Sequence, residues 1–277
     1  MAPSKIEEAA QTNAPPSILT PAQSSQPWTP QTVLSTIQPP YQTNTTSPLP
    51  FFHLLERLKT TKREGWRRFS INHGESISDH MYRMSIITLL CPPTLAAKLD
   101  IARCTRMALV HDMAEALVGD ITPVDGVSKT EKCRRETETM DYICTQLLGN
   151  VGGSAGAQQA QAIRDAWQEY EDGETPESQF VHDVDKMELL LQMVEYERGH
   201  AGRLDLGEFS RVAGKIVSPE VRVWAEDVLA ERRAFWEGMG IVPSHMGDVS
   251  GERKAQQDAY YGNGDGEADG VARGNAT

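Results

Sequence analysis

Residues 108–120 read ALVHDMAEALVGD, and three ionisable side chains, His111, Asp112 and Glu115, interrupt an otherwise apolar helical pattern. Residues three and four apart share one face of a helix, so the three fall within one turn of each other. Burying such groups without partners costs a large part of a domain's whole stability margin. Something must neutralise them, and a divalent cation is the natural counter-charge.

Outward from this stretch, the periodicity between Pro50 and Met239 is helical almost throughout, with little strand-like alternation, which predicts an all-α domain. Start signals support the count. Ser128 with Glu131 reads as a capping box, and Thr175-Pro176-Glu177 and Ser218-Pro219-Glu220 each place a cap before a first-turn proline and an acid. Helices are expected over 51–61, 76–91, 99–117, 129–149, 157–171, 176–199 and 218–238. In the sixth, Met187, Leu190, Leu191 and Val194 mark a core stripe.

The 277 residues divide into one domain, 51–243, and two tails. Residues 1–50 hold 10 of the 16 prolines, are rich in Ser, Thr and Gln, and carry only Lys5, Glu7 and Glu8 as charges. Such a segment buries too little apolar surface to offset its chain entropy and is expected to be disordered. The Gly-rich, acidic stretch 244–277 reads as a second disordered tail. Neither a presequence nor a secretory signal is evident, and the four cysteines form no C-x-x-C pair, so reduced thiols and a cytoplasmic chain are expected, with the nucleus also open. A net charge of −12 argues against a nucleic-acid polymer or an anionic membrane as partner, and no window suits a membrane span.

Two further polar residues sit among apolar neighbours. His80 lies in ESISDHMYRMSIITLL and Asp185 in FVHDVDKMELLLQ. With His111 and Asp112 they would make two imidazoles and two carboxylates, a set suited to Mn, Fe, Co or Zn with positions left open for water and substrate. Taken singly, such a His is usually a core residue bonded to a carbonyl, and such an Asp a cap or ion-pair partner. The weight rests on the order H, HD, D over three helices, with 31 residues from His80 to His111 and 73 from Asp112 to Asp185.

At that order the chain resembles the HD-domain metal-dependent phosphohydrolases. The words ESISDHMYRMS, ALVHDMAEALVGDITP, EKCRRE and LLLQMVEYE narrow the resemblance to the 5′-deoxynucleotidase branch, over about residues 52–236. The resemblance implies an HD-domain helical bundle, metal ligation by His80, His111, Asp112 and Asp185, and Glu115 as catalytic acid/base. It places Asp120 near the sugar or, with Glu115 and Ile121, on a second cation, a second Mg. The main ion is Mn, Co, Mg or another transition metal. Trp66 matches a residue beside the nucleotide. Bacterial members carry an Arg just before that Trp, where this chain has Gly65; of Arg63, Arg67 and Arg68 in KREGWRR, Arg63 is chosen to replace it as the phosphate-facing arginine, since the eukaryotic branch has Arg at that place. His182 stands where relatives often have Lys, and no metal role is assigned to it.

The reaction implied is hydrolysis of a deoxyribonucleoside 5′-monophosphate to deoxyribonucleoside and phosphate, by a homodimer. Helical spacing independently lets the Glu115 carboxylate handle a proton of the attacking water without itself holding the metal. The competing reading is a non-catalytic HD-fold module that keeps a structural metal and binds a partner. The intact acidic set with Glu115 argues against that. HD-type di-iron oxygenases and cyclic-dinucleotide phosphodiesterases need more site histidines than these two, and the other five fall at no matching spacing.

Overall fold

The structure, a computed structural model, describes residues 27–244. Its α-helices run α1 Pro30–Leu34, α2 Leu49–Thr60, α3 Glu64–Arg67, α4 Ile77–Leu89, α5 Pro93–Ala96, α6 Ile101–Val110, α7 Glu115–Val118, α8 Lys129–Tyr142, α9 Ser154–Asp172, α10 Pro176–Gly199 and α11 Pro219–Met239. A π-helical turn, Ile143–Leu147, continues α8, and a 3₁₀ segment spans Gly207–Lys215. No strand occurs among the described residues, only an isolated bridge between Lys62 and Ser76. The all-α expectation holds.

At the centre lies α10, which packs against α4, α6, α9 and α11. Apolar residues cover it on several sides: Phe180, Val181, Val184, Met187, Leu190, Met193 and Val194 are all buried. The expected stripe is therefore only part of what this helix buries, since a helix sheathed by neighbours has no solvent face to keep polar. No described helix is long and apolar enough to cross a membrane.

Local capping accounts for several boundaries. Ser76 with Asp79 opens α4 as a reciprocal box, and Thr175 with Ser178 does the same for α10 ahead of Pro176. Ser128 accepts from the Glu131 amide at 3.2 Å, but the Glu131 carboxylate goes to Arg134 and Arg135, so only half of that expected box forms. Ser218 makes no side-chain cap at all. The amides of Val217 and Ser218 instead donate to the buried Asp183 carboxylate at 2.9 and 2.7 Å, a cap supplied from another helix.

Two expectations need correction. The helix expected over 99–117 breaks at residues 111–114, where Met113, Glu115 and Ala116 amides bond to carbonyls three residues back. Likewise, residues 27–50 do not behave as a loose tail. Val33, Leu34, Ile37 and Tyr41 pack on the core, Arg134 donates to the Trp28 carbonyl, and the Asn44 amide donates to the Gln146 carbonyl at 2.7 Å. Composition judges a segment by what it buries alone, whereas this one lies against α7 and α8, which supply the rest of the apolar contact. The remainder of the expected tails, 1–26 and 245–277, lies outside the described residues. A cleft of about 600 Å³ between this strap and α8, lined among others by Pro30, Tyr41 and Tyr142, shares no residue with the site below.

The α10–α11 contact is locked by a buried ion pair. Glu197, fully buried, accepts from Arg232 Nε and Nη2 at 2.9 Å each, from Trp236 Nε1 at 2.8 Å and from the Leu206 amide at 2.8 Å. Glu197→Ala would strip the buried Arg232 guanidinium of its bidentate carboxylate, leaving it Asp205 and the Ser244 carbonyl, and would leave the Trp236 N–H and the Leu206 amide without an acceptor. Urea unfolding should register a loss of about 3–5 kcal/mol, and a change below measurement would contradict the packing described.

Candidate metal and catalytic site

His80 enters from the first turns of α4, which the Ser76–Asp79 box fixes. Asp185 comes from the middle of α10, and His111 and Asp112 from the break after α6. In that break the bonding tightens from i+4 to i+3, which brings residues three apart into line. Asp112 and Glu115 are such a pair, with the Glu115 amide donating to the Asp112 carbonyl at 3.0 Å. The break is thus what turns both carboxylates to one side.

The four expected ligands meet. Ligand atoms of His80, His111 and Asp185 all lie within 4.8 Å of one another. His80 Nε2 is 3.2 Å from Asp185 Oδ1 and 3.9 Å from Asp112 Oδ2, and His111 Nε2 is 3.2 Å from Asp112 Oδ2. His111 uses its other nitrogen on the Ala108 carbonyl at 3.1 Å, which turns Nε2 toward the carboxylates. Despite its neighbours, His80 Nε2 is a buried nitrogen with no hydrogen bond, and Glu115 Oε2 is a buried oxygen with none. Unsatisfied buried atoms are costly, and two imidazoles with two carboxylates are a fitting donor set for a divalent cation. The residues present fit such an ion.

Charge is dense here. Burial works against the charge on Arg63, but the carboxylates of Asp120, Asp112 and Asp185 outweigh it and hold its pKa well above the ordinary value. Its Nη1 lies 3.3 Å from Asp112 Oδ2. Burial, and after it the charges of Asp112 and Asp120, pushes the Glu115 carboxyl well above its usual range, with Lys132 and Arg63 pulling the other way. Burial also opposes ionisation of Asp112, which the neighbouring His111, Arg63 and His80 more than offset, so its carboxyl stays low.

Other expected residues fall differently. Asp120 is half-buried and accepts from the Glu64 amide at 2.6 Å, tying the start of α3 to the site loop. Ile121 follows it, half-buried. Trp66 does not reach outward: it is 2% exposed, its N–H donates to Glu75 at 2.7 Å, and its ring lies against Tyr196 and Phe209. As it stands, the ring expected beside a nucleotide is covered by this aromatic cluster. His182 bonds to the Tyr170 carbonyl at 2.9 Å, the ordinary fate of a core histidine.

Several residues without an expected role also reach the site. Tyr170 lies over His111 with ring centroids 4.7 Å apart and points its hydroxyl at Asp185, 3.4 Å away. Lys132 is 3.8 Å from Glu115 and 3.5 Å from Glu136. Glu188 pairs with His80 Nδ1 at 2.7 Å. EKCRRE contains two of these, Lys132 and Glu136, and the i+3 step from Asp185 to Glu188 was the available signal for the third.

Comparison with known proteins agrees with this geometry. The HD domain family model matches residues 55–224. The chain is 48% identical over 189 residues to the 5′-deoxynucleotidase hdd1 of Schizosaccharomyces pombe, covering 68% of this chain and 91% of that protein. It is 39% identical over 186 residues to the human 5′-deoxynucleotidase HDDC2, covering 66% and 85%. The solved structure of the HD domain-containing protein YGK1 superposes with a TM-score of 0.54 at 32% identity, over 76% of this chain and all of that one. With its two histidines buried beside Asp112 and Asp185 and the family model matched across the bundle, this chain belongs to the HD domain family.

Proposed function

We propose that the chain is a metal-dependent 5′-deoxynucleotidase, hydrolysing deoxyribonucleoside 5′-monophosphates to deoxyribonucleosides and phosphate. The observation that carries this is two unsatisfied buried atoms beside the His111-Asp112 break, His80 Nε2 at 3.9 Å from Asp112 and Glu115 Oε2 three residues after it, in a chain whose relatives are named for that activity. His80, His111, Asp112 and Asp185 would hold a divalent cation, Mn, Co, Mg or another transition metal. When bound, such an ion neutralises phosphoryl oxygen charge and makes water a better nucleophile. Glu115 takes a proton from the attacking water. That proton then goes to the leaving 5′ oxygen. Arg63, now turned to Asp112, supplies positive charge for the phosphate. Asp120 holds the loop carrying Arg63 through the Glu64 amide, and with Glu115 and Ile121 is the place for a second Mg. Trp66 acts from behind this loop, through Glu75 and the aromatic cluster.

Phosphate release measured with Mn, Co or Mg should be rapid from deoxyribonucleoside monophosphates, slow from ribonucleotides and negligible from di- and triphosphates. Equal rates on AMP and dAMP would make the protein a general phosphatase instead.

Glu115→Ala separates proton transfer from ion binding. Assayed at limiting metal, it should keep the ion while turnover falls by about 10²–10⁴. A parallel fall in bound metal would make Glu115 a ligand of the main ion. The reading also includes a homodimer, for which light scattering should return twice the chain mass of 30.6 kDa.

A further inference from the structure

His80 presents one ring nitrogen to the ligand cluster and the other to a second carboxylate deeper in the bundle. Nδ1 lies 2.7 Å from Glu188 Oε2, and both side chains have no solvent exposure. Glu188 Oε1 in turn accepts from Arg83 Nε at 2.8 Å and Nη2 at 2.6 Å. Arg83 is itself clamped from α10, by Gln192 at 2.8 Å and Glu195 at 2.7 Å. The spacing is the same on both helices: Arg83 stands three residues after His80, and Glu188 three after Asp185. Each helix face thus carries a candidate ligand followed one turn on by a group of the Arg83–Glu188 pair.

An imidazole has two nitrogens, and a carboxylate that accepts a proton from one decides which is free to coordinate. Glu188 is a carboxylate committed to this task, since Arg83 already occupies its other oxygen and offsets its charge. We propose that Glu188, held by Arg83, is a positioning residue that sets how tightly the site holds its divalent cation, by keeping the proton of His80 on Nδ1 and Nε2 open toward Asp112, Asp185 and His111. This rests on the metal-dependent reading above. The same carboxylate also lies with Glu75 and His80 in a cluster compact enough to hold an ion itself. That use would have to displace Arg83 and His80 from Glu188 and Trp66 from Glu75.

The test measures affinity of the full chain for Mn²⁺ and Co²⁺ by chelator competition, beside thermal unfolding of the metal-free protein and turnover at saturating ion. Glu188→Gln keeps the shape and an accepting oxygen but loses the charge, and should raise the metal dissociation constant about 10–100-fold, with turnover recovering as the ion is raised. Arg83→Met, at the half-exposed end of the chain of contacts, should weaken binding in the same direction and less. Glu75→Gln should leave affinity unchanged. Wild-type affinity in folded Glu188→Gln overturns the inference, and wild-type affinity in Arg83→Met does so if the first variant fails to fold. An equal loss in Glu75→Gln would show a cation site at that triad instead. Turnover lost at saturating ion with affinity intact would also overturn a positioning role. A wild-type chain that binds neither ion overturns the metal-dependent reading itself, a result distinct from wild type and Glu188→Gln binding equally.

Discussion

Ionised side chains cannot sit in an apolar bundle unless each finds a partner, and this constraint arranges the interior of the molecule. Buried charge comes here in two kinds. Glu197 and Asp183 are saturated: the first is ringed by Arg232, Trp236 and the Leu206 amide, the second caps the start of α11. Such groups hold helices in place. Around His111-Asp112 the pattern differs, because His80 Nε2 and Glu115 Oε2 have no hydrogen bond although both are out of water. Glu197 and Asp183 are spent on holding helices together, whereas these two atoms are left open at the ligand cluster.

The architecture supports that division. With α10 sheathed by α4, α6, α9 and α11, Asp185 and Glu188 are carried into the middle of the bundle on a rigid element. Rigid placement matters because a metal-ligand set tolerates little drift in its donor atoms. The break at residues 111–114 does the opposite job. By tightening the chain it brings the Asp112 and Glu115 carboxylates into line, while flanking Ala108, Met113 and Ala116 stay in the core. Arg63, Lys132 and Tyr170 then close the site from three other segments.

Local words carried much of this. The H, HD and D residues were legible because polar side chains stand out in apolar helices; α8, α10 and α11 begin just after their expected start signals, and α2 and α4 fall within two residues of their expected bounds. Short elements were not legible: α3, α5 and the 3₁₀ segment are too brief to show a period. The burial of Trp66 was not legible because a word shared with relatives states identity but not orientation, and here Tyr196 and Phe209 cover its ring. Residues 27–50 were misjudged because their apolar partners belong to other helices.

By itself, then, the sequence determined what depends on near neighbours: the all-α class, most helix boundaries, the four candidate ligands and Glu115, each visible as local periodicity or as a polar interruption of it. Only the tertiary structure decided what depends on distant neighbours. Asp183 rather than Ser218 caps α11, Trp66 faces inward, and Glu188 with Arg83 stands behind His80, with 105 residues separating that arginine from its carboxylate. The physical reason is that burial and hydrogen bonding are set by whichever groups the packing brings within about 3 Å, and helical spacing reports only those on the same helix.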